Sequence, residues 1–125
     1  MKKIYSDKAP KAIGPYSQAI LADNTLYISG QLPINPETGE IPKTVALQTK
    51  QSLLNIEAIL KEANMTKENV VKCTVYLKDL NYFNEMNDEY SYFFYEHKPA
   101  RVAIEVARLP RDVLVEIDAI AYKNK

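Results

Sequence analysis

A chain of 125 residues with 46% apolar content can bury one core and is too short for two ordinary domains, so a single domain over 1–125 is expected. Lysine plus arginine and aspartate plus glutamate stand at 16 each, so no overall field draws the chain to nucleic acid or to an anionic membrane. With one cysteine, Cys73, and one histidine, His97, no internal disulfide can form and too few soft ligands remain for a transition-metal site.

The first ten residues hold Lys2, Lys3, Asp7 and Lys8 and no apolar run of signal-peptide length, and no segment approaches transmembrane length. A cytoplasmic location is the default expectation. Residues 18–22 and 25–29 are short apolar stretches separated by Asp23 and Asn24, which tolerate the positive φ of tight turns, and they predict a β-hairpin. Pro33, Pro36, Gly39 and Pro42 then punctuate a structured loop. From Val45 to Ala63, Leu47, Leu53, Leu54, Ile56, Ile59 and Leu60 recur at helical spacing, with Thr44 as N-cap.

Residues 70–77 alternate, with Val71, Cys73, Val75 and Leu77 on one face and Lys72 and Thr74 on the other, which predicts a half-buried strand with Cys73 toward the core. Asp79 can cap a second helix running to about His97, whose stripe of Phe83, Met86, Tyr90, Phe93 and Phe94 is explained by core packing. Pro99 stops that helix, and two β-rich stretches, 100–106 and 113–122, follow around a turn at 109–112.

This order predicts an α+β fold, one mixed sheet with two helices covering one face, and leaves the other face without an occupant. Pairing the last two stretches as a hairpin puts Val102, Ile104, Val106, Val113, Val115, Ile117, Ala119 and Ala121 toward the helices. Arg101, Ala103, Glu105, Leu114, Glu116, Asp118 and Ile120 then share the opposite face. One cation, three carboxylates and apolar residues on one face fit a structural ion pair at a subunit interface, the commoner case. They also fit a cleft in which crowding shifts proton affinities. Cys73 reads as a core residue and His97 as a partner for helix-end carbonyls, rather than as a Cys/His nucleophile pair.

The segments GPYSQ (14–18), SGQLP (29–33) and KPARVAIEVARLPRDVLVEIDAIA (98–121) resemble the RidA, or YjgF-type, family of reactive intermediate/imine deaminases, and the resemblance spans essentially the whole chain. It implies a six-stranded mixed sheet with two helices, of the chorismate-mutase-like kind, assembled as a homotrimeric barrel with ligand clefts between subunits. It further implies cofactor-independent hydrolysis of enamines and imines of small 2-keto acids, such as 2-aminoacrylate, 2-iminopropanoate and 2-iminobutanoate, to keto acid and ammonia.

Carried onto this chain, the resemblance makes Arg101 the fork that binds the substrate carboxylate and Glu116 the group that activates water and manages the proton. Tyr16, Ser29, Gly30, Gln31, Asn87 and the backbone amide of Ala103 would surround the ligand. One departure is visible, for Val102 and Ala103 stand where the family commonly has serine and cysteine, so thiol contact with the ligand is lost. Two other readings stay open: a non-catalytic module of the same fold that binds keto acids, and an endoribonuclease, which the zero net charge disfavours.

Overall fold

A computed structural model describes residues 1–124. Six strands, β1 (Lys2–Ile4), β2 (Ala19–Ala22), β3 (Thr25–Gln31), β4 (Val70–Leu77), β5 (Ala100–Glu105) and β6 (Val115–Tyr122), form one sheet in the order β1-β2-β3-β6-β4-β5. Every pairing is antiparallel except β4 with β5. Two helices, α1 (Val45–Glu62) and α2 (Phe83–Phe93), connect β3 to β4 and β4 to β5. Right-handed crossovers taken twice in the same direction across a sheet put both helices on one face.

The core lies between that face and the helices. Val115, Ile117, Ala119 and Ala121 of β6 alternate inward beside Cys73, Val75 and Leu77 of β4, against Leu53, Ile56 and Leu60 of α1 and Met86 of α2. The expected hairpin is present as β2 and β3, with Asp23 taking φ 52° at its turn. Thr44 caps α1, its side chain accepting from the Leu47 amide at 3.2 Å. Asn55 of α1 donates to the Leu32 and Ile34 carbonyls, which pins the loop after β3. Among the described residues no helix is long and apolar enough to cross a membrane.

The structure corrects several expectations. Val71, expected on the inward face with Cys73, is 46% exposed, because the register against β6 shifts between Val70 and Lys72. Strand β1, short and lysine-bearing, was not legible in the sequence; it pairs along the outer edge of β2. Helix α2 ends at Phe93, and His97 bonds the Val70 carbonyl at the start of β4 instead of the helix end.

The last two strands do not form a hairpin: β6 sits between β3 and β4, and β5 lies parallel to β4 at the sheet edge. The faces of β5 are consequently inverted. Arg101, Ala103 and Glu105 pair with Cys73, Val75 and Leu77 and so share the helix side, while Val102 and Ile104, 40% and 41% exposed, lie on the open side. A parallel crossover through α2 fixes this register, and apolar alternation on a strand exposed on both faces carries no signal to reveal it.

Candidate active site

Glu116 and Arg101 are delivered by different strands to different faces. Glu116 pairs with Tyr76 and Asp118 with Thr74, so both carboxylates stand on the open side of the sheet. Asp118 is held by the Thr74 amide at 3.2 Å and the Tyr76 hydroxyl at 2.9 Å.

Glu116 reaches across to β3 at Gly30, where a methyl group would overlap its Oε2 and stand 3.1 Å from its Cδ. The missing side chain of Gly30 is therefore the berth of the Glu116 carboxylate. Burial first, and the nearby Asp118 charge second, push the Glu116 carboxyl above its ordinary value.

Beside Glu116 opens a cleft of about 710 Å³ bordered by Tyr16, Ser29, Gly30, Gln31 and Arg111. Its wall is tied down locally. Ser29 donates its hydroxyl to the Ser17 carbonyl at 2.6 Å, and the buried Gln18 amide bonds Ser6 and Pro10, which holds the 11–16 segment along the rim. Tyr16 stands half-exposed at that rim. Gln31, by contrast, turns its side-chain amide back to the Ser29 carbonyl at 3.0 Å, so it shapes the wall from within. Arg111 and Asp112 follow with φ 57° and 52° in the turn entering β6. Neither Arg111 nor the 10–13 segment stood out in the sequence, because nothing in a linear pattern marks them as neighbours of Glu116.

On the helix side the other group sits in its own hollow of about 350 Å³, lined by Asn87, Tyr90, Ser91, Lys98 and Arg101 among others. Asn87 Oδ1 accepts from Arg101 Nη1 at 2.8 Å. The guanidinium lies 4.8 Å from the Tyr90 ring centre and 5.5 Å from that of Phe83. Among the described residues Arg101 has no ion-pair partner.

Val106 donates to the Leu77 carbonyl at 2.9 Å, and successive amides of a strand point to alternate sides, so the Ala103 amide faces away from β4 on the open sheet edge. Cys73 is buried beneath, its thiol pushed up to about 11 by burial, with the Tyr90 hydroxyl facing it. Burial likewise raises the Tyr90 hydroxyl, which has no full hydrogen bond.

The structure therefore brings Tyr16, Ser29, Gly30, Gln31 and Glu116 together at one hollow and Asn87 and Arg101 at another, with the Ala103 amide on the free edge of the strand that carries Arg101. The two hollows share no lining residue among those described. Phe83 and Tyr90, read in the sequence as core packing alone, turn out to flank the arginine. Their spacing with Asn87, four then three residues, is the signal that puts all three on one side of α2. No cluster of three His, Cys, Asp or Glu side chains suited to a metal ion occurs among the described residues.

Comparison with known proteins finds relatives over nearly the whole chain. The family model described as Endoribonuclease L-PSP matches residues 6–123. A RutC family protein of Pyrococcus abyssi is 60% identical over 122 residues, covering 97% of this chain and 96% of the relative. The 2-iminobutanoate/2-iminopropanoate deaminase of Escherichia coli K12 is 50% identical over 126 residues, covering 98% of each. Among solved structures, that of the YjgF gene product from Escherichia coli superposes with a TM-score of 0.96 at 49% identity, over 99% of this chain and 100% of that one.

Proposed function

The chain belongs to the RidA (YjgF-type) family, and from that premise we propose that it hydrolyses enamines and imines of short 2-keto acids, such as 2-aminoacrylate and 2-iminobutanoate, to keto acid and ammonia. The reading is carried by the complementary state of two groups: an arginine with no acid partner among the described residues, and a glutamate whose burial favours its protonated form.

Arg101 presents to the substrate carboxylate the N–H groups that Asn87 leaves free, a flat fork that lysine does not reproduce. The outward Ala103 amide adds a donor on the same edge. Tyr16 and the Ser29–Gly30 backbone wall the other side.

In the reaction, the enamine CH2=C(NH2)–COO⁻ takes a proton at its terminal carbon and gives one up from nitrogen, which yields the imine CH3–C(=NH)–COO⁻. Water adds to the imine carbon, one of its protons passing to nitrogen, and the carbinolamine expels ammonia as its hydroxyl proton is carried to the departing nitrogen. Glu116 is the proton carrier and the acceptor that orients the water, a task for which a carboxyl titrating above its usual range is suited. The remaining acceleration comes from holding the reactants together.

Arg101 and Glu116 leave opposite faces of one sheet, so one copy does not join them. The open face also exposes Tyr27, Val102, Ile104 and Tyr122, an apolar surface suited to a second copy. The homotrimer that the family resemblance implies would complete the site, with Arg101 of one copy facing Glu116 of the next. A cytoplasmic setting, where such intermediates arise, belongs to the same proposal.

The family model's description favours RNA cleavage as the second reading. Equal numbers of acidic and basic residues give no field that gathers a polyanion.

The test is ammonia release from enzymatically generated 2-aminoacrylate, measured against spontaneous hydrolysis and with added RNA as competitor. The expected result is acceleration that RNA does not inhibit and that Arg101→Ala reduces about 100-fold or more, the loss of a charge-assisted bidentate pair. Binding of 2-keto acids without turnover would assign the chain as a sensing module, and cleavage of RNA would assign the second reading.

A further inference from the structure

We propose that Phe83 and Tyr90 are positioning residues for Arg101: the two rings form a rack that fixes the plane of the guanidinium before substrate arrives. The inference rests on the reading of Arg101 as the carboxylate clamp. Phe83, Asn87 and Tyr90 project from one side of α2 toward the edge strand, and β5 turns Arg101 to that same side through its pairing with Cys73.

The two ring contacts, at 5.5 and 4.8 Å to the centroids, restrain the guanidinium against their faces, while the 2.8 Å bond from Nη1 to Asn87 Oδ1 sets its rotation within the plane. The remaining N–H groups are left for a carboxylate.

What holds the cation matters as much as how firmly. A carboxylate in place of either ring would orient the arginine equally well, but it would take the fork and neutralise the charge that the substrate needs. Ring faces and a neutral amide orient without neutralising.

The Tyr90 ring is itself buried and packs at 4.9 Å against Phe94. Its hydroxyl is buried without a full hydrogen bond. Packing of the ring, rather than satisfaction of the hydroxyl, therefore holds it in place.

The experiment measures affinity for 2-oxobutanoate, by calorimetry or NMR titration, in the parent chain, Phe83→Leu, Phe83→Tyr, Tyr90→Phe and Arg101→Ala, and in the double variant Phe83→Leu with Arg101→Ala. Phe83→Leu should weaken binding about two- to fivefold, the effect of one exposed cation–π contact. Phe83→Tyr and Tyr90→Phe, which keep a ring face, should stay near the parent. In the Arg101→Ala background Phe83→Leu should have no further effect.

A second readout, the rotation rate about the Arg101 Cζ–Nε bond from side-chain NMR, should be slow in the parent and faster in Phe83→Leu. An equal loss from Phe83→Leu with and without Arg101, or an unchanged rotation rate, would overturn the rack. Unchanged affinity in Arg101→Ala would remove the clamp itself, and the rack with it. Loss in Phe83→Leu confined to the arginine-bearing chain supports both.

Discussion

Strands β5 and β6 each carry one ionisable group of the proposed site and hold it by opposite means. Strand β6 is central, bonded on both sides to β3 and β4, and its alternate residues Val115, Ile117, Ala119 and Ala121 are buried. Glu116 therefore sits on a rigid ladder, half-buried against Gly30, and its environment acts on its proton affinity.

Strand β5 has a single neighbour and is open on both faces, so the strand does little to fix Arg101. Side chains of α2 take over that role. A central strand tunes an acid by desolvation, whereas an edge strand presents a cation to solvent and leaves its orientation to neighbours.

The contrast is broken most directly at Glu116. Glu116→Gln should lower kcat for 2-aminoacrylate about 100-fold with little change in KM, since a proton carrier is lost and the carboxylate clamp is not.

The same variant carries a stability signature. Glu116 is held above its ordinary value, so its contribution to stability is full below that ordinary value and is lost as pH rises through the raised one. Thermal melts should therefore place Glu116→Gln above the parent at about pH 8, with the difference shrinking toward about pH 4.

Asn87→Asp sharpens the other half of the contrast. A carboxylate 2.8 Å from Arg101 Nη1 would occupy the fork as an internal substitute for substrate. KM should rise about tenfold while the melting temperature stays level or rises, as expected when a neutral acceptor becomes a charged one. A fall in stability with unchanged KM would show that Asn87 serves the fold and not the arginine.

A loss of stability rather than of rate is expected at Gly30. Gly30→Ala places a methyl group on the Glu116 carboxylate, which must swing away, at about 1–3 kcal/mol of stability measured by denaturant melts. The pH dependence predicted for Glu116 should diminish in that variant, because the displaced carboxyl regains water.

Much of this was legible in the chain. Helix α1, its Thr44 cap, the β2–β3 hairpin and the inward alternation of Cys73, Val75 and Leu77 follow from local patterns that the tertiary structure does not oppose. The partners of β5 were not legible. Its alternation resembles that of β6, and only the crossover through α2 decides that it runs parallel to β4 with Arg101 turned toward the helices.

The shared face expected for Arg101 and Glu116 dissolved with that register, and the proposal of a second copy rests on the separation of the two groups. Residues near Glu116 from remote segments, Arg111 and the 10–13 stretch, carry no local mark of that proximity. Phe83 and Tyr90 were visible as a stripe, but periodicity does not distinguish a ring that packs the core from one that also bears a cation.

If catalysis needs Arg101 from one copy and Glu116 from another, subunit complementation restores it. Arg101→Ala and Glu116→Gln chains, each inactive alone, are denatured together, refolded at equal ratio and assayed with 2-aminoacrylate after mass spectrometry confirms mixed oligomers. In a closed ring of three, random mixing restores both groups at about a quarter of the sites, so about a quarter of the parent activity should return. Mixed oligomers without any recovered activity would contradict a site shared between copies.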